Sequence, residues 1–222
     1  MHHALLLGRT HTGTSLQTLS EHTFDAGTVL SQTALPGIPI PQNCDFPTLL
    51  ALLTPPSAAI LVDGLRANLH VPPHIHRGWT PTPSEHQLLA HAPKVTTEDK
   101  RIHWATASAD SVVRQARVLG PPWMHAAPLG FPERMKRLIF EDISLAEGEP
   151  SSQSQNILLA FTDEAHCLSE EQTILIRLWK DDEDGESIVL KMPSGGYLRV
   201  KKIKEAGLAS RSAQAVILGF LA

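Results

Sequence analysis

The chain has 222 residues, 42% of them apolar and 19% charged, with a formal net charge of -4. That is enough apolar material for one large domain or two modest ones, and it excludes both a disordered acidic tail and a uniformly basic nucleic-acid coat, so any basic surface must be local. No run approaches the roughly 18 apolar residues of a membrane span, no signal-peptide pattern opens the chain, and Cys44 and Cys167 have neither C-x-x-C nor zinc-finger spacing. The expectation is a soluble protein of a reducing compartment with no disulfide framework and no membrane partner.

In chain order, an apolar run leads into Gly8-Arg9-Thr10-His11-Thr12-Gly13, a pattern of a domain interior more than of a domain start. From Thr14 to Leu19 polar and apolar residues alternate and predict a half-buried strand. Phe24-Asp25-Ala26-Gly27 reads as a turn and Thr28 to Thr33 as a second strand, and the prolines between Pro36 and Pro41 impose an extended exit. Residues 46–69 change to helical spacing. Pro47 suits a first helical turn, Pro55-Pro56 interrupts and Ser57 can cap a second helix, so two short helices are expected. Residues 71–100, rich in Pro and His, read as a connector between an amino-terminal part, 1–70, and a carboxy-terminal domain, 101–222. There Ser108 caps a helix with Val112, Val113, Ala116 and Leu119 inward, and Gly120-Pro121-Pro122 ends it. Strands are expected at Ile157–Phe161, Thr173–Trp179, Ser187–Met192 and Tyr197–Val200, with Asp184-Gly185 as a hairpin turn and a last helix capped by Ser210 or Ser212. Such strands suggest a small barrel or sandwich.

Four features invite chemistry. His74-Ile75-His76 would point two imidazoles the same way on a strand, but no third ligand accompanies them and no metal site is expected. The acidic run Asp181–Asp184 lacks the ligand spacing of a calcium loop and reads as a solvated hairpin. Asp25 sits at a turn between two strands, where a carboxylate can move a proton, although Asp is also an ordinary turn residue. Period-two geometry puts Tyr197, Arg199 and Lys201 on one face, with Leu198 and Val200 on the other. With Lys202 and Lys204 this makes a cationic, aromatic-bearing strip suited to RNA, set against the plainer reading of a solvated strand.

Four segments, taken in order, resemble the folate-dependent formyltransferase family, in particular its methionyl-tRNA formyltransferase branch. Leu5 to Pro41 is similar to the second half of that catalytic domain, where a Thr-Gly strand leads to a turn with Asp-(Thr/Ala)-Gly, here Asp25-Ala26-Gly27. Lys94 to Trp104 resembles the family's Lys-(Leu/Ile)-x-Lys-Glu-(Asp/Glu)-x-x-Ile-Asp-Trp connector, with His103 in place of the acidic residue. Ser108 to Trp123 resembles a helix with two arginines, matched by Arg114 and Arg117, that runs into a proline and tryptophan cluster. Ala206 to Gln214 is similar to the final strand and the Ser-Ala-Gln helix start.

The resemblance implies an α/β remnant of a Rossmann-like formyltransferase domain followed by a mainly β, OB-like open barrel with flanking helices. It implies 10-formyltetrahydrofolate as formyl donor, no metal, and initiator methionyl-tRNA as acceptor, bound by a monomeric scaffold whose carboxy-terminal barrel carries Arg114, Arg117, Tyr197, Arg199, Lys201, Lys202 and Lys204. Formyl transfer to an amine needs oxyanion stabilisation and proton removal, which the family performs with an Asn, a His two residues later and an Asp. Only the Asp has a counterpart, Asp25, because the Asn-x-His segment and the Ser-Leu-Leu-Pro loop fall before the family position matching Met1. The expectation is therefore an amino-terminally truncated, inactive chain. It resembles a fungal mitochondrial version, which implies the mitochondrial matrix, or the cytoplasm if bacterial, with no presequence visible. The alternative is a non-catalytic tRNA- or RNA-binding module with a vestigial leader.

Overall fold

A computed structural model of the chain describes residues 1–22, 27–79, 92–128, 131–148, 156–162, 173–181 and 184–221. They divide into two compact units, Met1–Lys94 and Val95–Ala222.

The first unit contains α1 (His2–Leu6), β1 (His11–Thr12), β2 (Ser15–Gln17), β3 (Val29–Gln32), β4 (Ile38–Pro39) and α2 (Phe46–Arg66). The alternation after Thr14 becomes β2, which runs antiparallel to β3 with Ser15 opposite Gln32 and Gln17 opposite Val29. Threonines fasten both ends of this hairpin. Thr33 Oγ1 accepts from the Thr14 amide at 3.0 Å, and Thr18 Oγ1 accepts from the Thr28 amide at 2.9 Å. β1 pairs antiparallel with β4, and Pro39 is tolerated there because the strand is short and at an edge.

The break expected at Pro55-Pro56 does not occur: α2 is one helix of 21 residues. Asp45 caps it, its Oδ1 accepting from the Thr48 amide at 2.9 Å, and Pro47 lies in the first turn. A proline inside a helix forfeits a hydrogen bond and costs about 3 kcal/mol, so tertiary contacts must hold both sides of the pair. Leu49 and Leu53 are buried before it. Beyond it Gly64 is buried too, so close to the hairpin that an added Cβ would stand 2.3 Å from Leu16 Cδ2. The two prolines also concealed that α2, in which an 18-residue window has a mean hydropathy of 1.5, is long and apolar enough by length and composition to cross a membrane.

The second unit begins with the end of the connector, sewn onto the rest of the unit by polar bonds. Gln115 Nε2 donates to the carbonyls of Asp99 and Arg101, and Trp123 Nε1 donates to that of Thr97. Ile102 and Trp104 are each 2% exposed and belong to the core of this unit. α3 (Ala109–Leu119) starts as its sequence dictates: Ser108 Oγ accepts from the Ser111 amide while Ser111 Oγ accepts from the Ser108 amide. Val112 and Val118 are buried, Val113 and Ala116 are half-buried, and Gly120 ends the helix at φ 86°. Ser108→Ala is expected to lower the unfolding free energy of this unit by about 1 kcal/mol, read from urea unfolding, whereas Ser144→Ala, at an exposed strand position, should leave it nearly unchanged.

Six strands build the sheet of this unit: β5 (Trp123–Pro128), β6 (Lys136–Ala146), β7 (Asn156–Thr162), β8 (Thr173–Lys180), β9 (Ile188–Lys191) and β10 (Tyr197–Glu205). The neighbours run β10-β6-β5-β7-β8-β9, and β9 returns to pair with β10, so the antiparallel sheet curls into a ring. β11 (Arg211–Ser212) takes the rest of that edge of β10, and α4 (Ala213–Leu221) ends the described residues. Leu138, Phe140, Leu198, Val200 and Ile203 meet Val112 of α3 and Val216 and Ile217 of α4 in one core. β5 and β6 were not expected from the sequence. The hairpin turn at Asp184 was, and of the two caps offered for the last helix, Ser210 and Ser212, it is Ser212 whose Oγ accepts from the Ala215 amide, at 3.3 Å.

Candidate functional site

The strip on β10 is divided in two by its own backbone. Leu198 and Val200 are buried, and then Ile203 and Glu205, so the alternation slips by one residue at Lys201-Lys202. The slip leaves the pairing register with β6 unchanged, and it lies across from Asp142, whose φ is 54°. A non-glycine residue in the left-handed region marks a local irregularity of the strand. Its effect is to bring Lys202 and Lys204 outward as well as Tyr197, Arg199 and Lys201.

The two halves differ electrostatically. In the first, Arg199 Nε lies 2.7 Å from Asp181 Oδ2, and the Asp181 side chain is only 7% exposed, so this arginine neutralises a buried carboxylate. Lys201 lies in the field of Asp184. Burial pushes the Asp184 carboxyl up, but bonds from the Ser187 hydroxyl and from the Ser187 and Glu186 amides, with the Lys201 charge, outweigh it and hold the group below its ordinary value. Tyr197 packs edge-on against Trp179 at 6.2 Å. Tyr197 and Arg199 thus engage Trp179 and Asp181, at the end of β8, and help to close the ring of strands.

In the second half, Lys202 is exposed and stands opposite Glu141, and Lys204 stands opposite Ile139. On the same outer face of β6, two residues from Ile139, is Arg137. Its guanidinium lies 4.0 Å from the centroid of the Trp123 indole, with Arg101 at 5.8 Å from the same ring. Sequence reasoning missed this arginine–tryptophan cluster because β5 and β6 were not recognised as strands. At the rim of the sheet, Glu205 gathers Lys136 Nζ at 2.7 Å and Arg211 Nη2 at 2.6 Å.

Arg114 and Arg117 are both half-buried on α3. Arg117 lines a cleft of about 320 Å³ with Val113, Ala116, Pro121 and Phe140. Asp25 lies outside the described residues. His74 Nε2 bonds the carbonyl of His70, and among the described residues no group of three potential ligands is placed to hold a metal ion.

Comparison with known proteins gives the chain a relative. No family model matches it. Over 140 residues, 55% of this chain, it is 34% identical to the mitochondrial methionyl-tRNA formyltransferase of Saccharomyces cerevisiae. The chain is a relative of that formyltransferase. The match spans 33% of the yeast protein's length. Among solved structures, a multiple variant of HypX from Aquifex aeolicus aligns with 98% of this chain and 32% of its own, at 16% identity and a TM-score of 0.46.

Proposed function

We propose that the chain serves formyl transfer to initiator methionyl-tRNA, with 10-formyltetrahydrofolate as the donor, in the mitochondrial matrix. The observation that carries this reading is the 34% identity to the yeast mitochondrial formyltransferase. Asp25-Ala26-Gly27 and the hairpin of β2 and β3 would belong to a Rossmann-like catalytic domain. The curled sheet from β5 to β10, OB-like in this reading, would hold the tRNA. Cations on its outer face support that role, since a tRNA is recognised mostly through its phosphates and its shape.

Of the Asn, His and Asp that the chemistry draws on, these 222 residues supply the Asp at Asp25. A polypeptide of these residues alone is therefore expected to bind tRNA and not to formylate it, because groups that act together in proton transfer and oxyanion stabilisation do not substitute for one another. The check is a formylation assay with initiator methionyl-tRNA and 10-formyltetrahydrofolate. Product formation by the purified chain, abolished by Asp25→Asn, would overturn this expectation. Formylation by a version carrying an upstream in-frame Asn-x-His and Ser-Leu-Leu-Pro segment would support the family role.

A further inference from the structure

The slip at Lys201-Lys202 separates the cations of β10 that brace the fold from those presented to a ligand. Resting on the tRNA reading, we propose that the RNA backbone is held on the outer face of β6 and the second half of β10, by Arg137, Lys202 and Lys204. The half of β10 bearing Tyr197, Arg199 and Lys201 is a structural seam and makes no contact.

Strand pairing puts the three principal cations on one surface. Residues opposite each other in an antiparallel pair share a face, so Lys202 with Glu141, Lys204 with Ile139, and Ile139 with Trp123 all project to one side. Arg137 belongs to that side because it is two residues from Ile139, and His125 stands opposite it. Residues two apart on a strand are separated by about 6.6 Å, a spacing close to that of successive phosphates on one strand of RNA. The face alternates with Leu138, Phe140 and Ile203, which are buried, so the cations face away from the core.

Charge separates the halves further. Arg199 is drawn onto Asp181, and moving it to a phosphate would strip a buried carboxylate of its partner. On the proposed face Glu141 stands across from Lys202. Arg137 is also pre-organised. Stacking at 4.0 Å on an indole that is itself 6% exposed fixes the plane of the guanidinium, so less rotamer entropy is lost when its edge meets a phosphate. In a chain whose net charge is -4, a local cationic face of this kind steers and holds a polyanion that the rest of the surface repels.

The test is the fluorescence anisotropy of labelled initiator methionyl-tRNA titrated with the full 222-residue chain at several salt concentrations, each variant first checked for an unchanged circular dichroism spectrum. Lys202→Ala combined with Lys204→Ala is expected to weaken binding about tenfold at low salt and to flatten the dependence of log Kd on log salt by about 1.5, since each phosphate contact contributes about 0.7 to 0.9. Arg137→Lys keeps the charge but loses the stacked fork, and is expected to weaken binding about threefold. Lys201→Ala is expected to change Kd less than about twofold. A paired lysine variant that binds like the unmodified chain, or a Lys201→Ala variant that carries the loss instead, would overturn the placement. If the unmodified chain shows no salt-sensitive binding, the tRNA reading itself fails, which is seen before any variant is compared.

Discussion

Glu205→Ala is expected to destabilise the second unit by about 2 to 3 kcal/mol, measured by urea unfolding followed through the fluorescence of Trp104, Trp123 and Trp179. Glu205 ends β10 with only 6% of its surface exposed, and its two carboxylate oxygens each receive a cation, Lys136 and Arg211. Truncating the side chain removes both bonds and leaves two like charges converging on one point. Breaking a buried ion pair from one side costs about 3 to 5 kcal/mol, and the expected figure is lower because the two cations are 48% and 49% exposed and solvent screens them. Glu205→Gln keeps an acceptor for one cation and should cost about half as much. A loss below about 0.5 kcal/mol in Glu205→Ala would show that the cluster only decorates the rim.

The same cluster gives the unit a defined acid response. The hydrogen bond from Lys136 holds the Glu205 carboxyl below its ordinary value, against the opposing effect of burial, and the charges of Lys136 and Arg211 add to the lowering. A carboxyl with a depressed folded-state pKa contributes stability that is fully present above its unfolded value, near 4.5, and is lost as the pH falls through the lower, folded value. The stability difference between the unmodified chain and Glu205→Gln should therefore be constant at neutral pH and shrink below about pH 4.5. A difference that persists unchanged to about pH 2 would assign the stabilisation to packing.

Signals satisfied within three or four residues were legible in the sequence. The Ser108 cap, the Asp184 turn, a serine cap on the last helix and the glycine stop at 120 all depend on nearby backbone, and all are found where the residues put them. What depends on distant partners was not. β6 reads Lys-Arg-Leu-Ile-Phe-Glu-Asp-Ile-Ser-Leu-Ala, and the irregularity at Asp142 breaks the alternation that would have revealed a strand of 11 residues. β5 contains two alanines and a proline, residues with little strand preference of their own, and is buried on both faces at Trp123-Met124 and Ala126-Ala127, so it shows no alternation either. α2 was divided on a local rule, proline as helix breaker, that contacts on either side of the pair overrode. For the candidate site, the lysines of β10 were visible as a charged run, but that Arg199 belongs to Asp181 and Arg137 to Trp123 is decided by strand pairing. The Asp25-Ala26-Gly27 string was read by resemblance, and its first two residues lie outside the described residues; for Gly27 the structure supplies a steric reason.

That reason leads to the largest effect expected in the first unit: Gly27→Ala should prevent the hairpin of β2 and β3 from closing, at a cost of at least about 3 kcal/mol. A Cβ on Gly27 would stand 1.6 Å from the carbonyl oxygen of Thr18 and 2.6 Å from its carbon. The obstruction is backbone, so no rotamer change relieves it. The Thr18 segment cannot retreat without breaking its bonds to Thr28, the amide of Thr18 to the Thr28 carbonyl at 3.0 Å and the Thr28 amide to Thr18 Oγ1 at 2.9 Å. Opening the hairpin would also withdraw Leu16 from Gly64 and so loosen the seat of α2. Amide hydrogen exchange reads this directly: protection of the Thr18 and Thr28 amides should be lost in Gly27→Ala and kept in Gly219→Ala, where nothing lies within 4 Å of the added methyl and the helix should gain up to about 1 kcal/mol. If Gly27→Ala keeps that protection, the glycine is not what closes the turn.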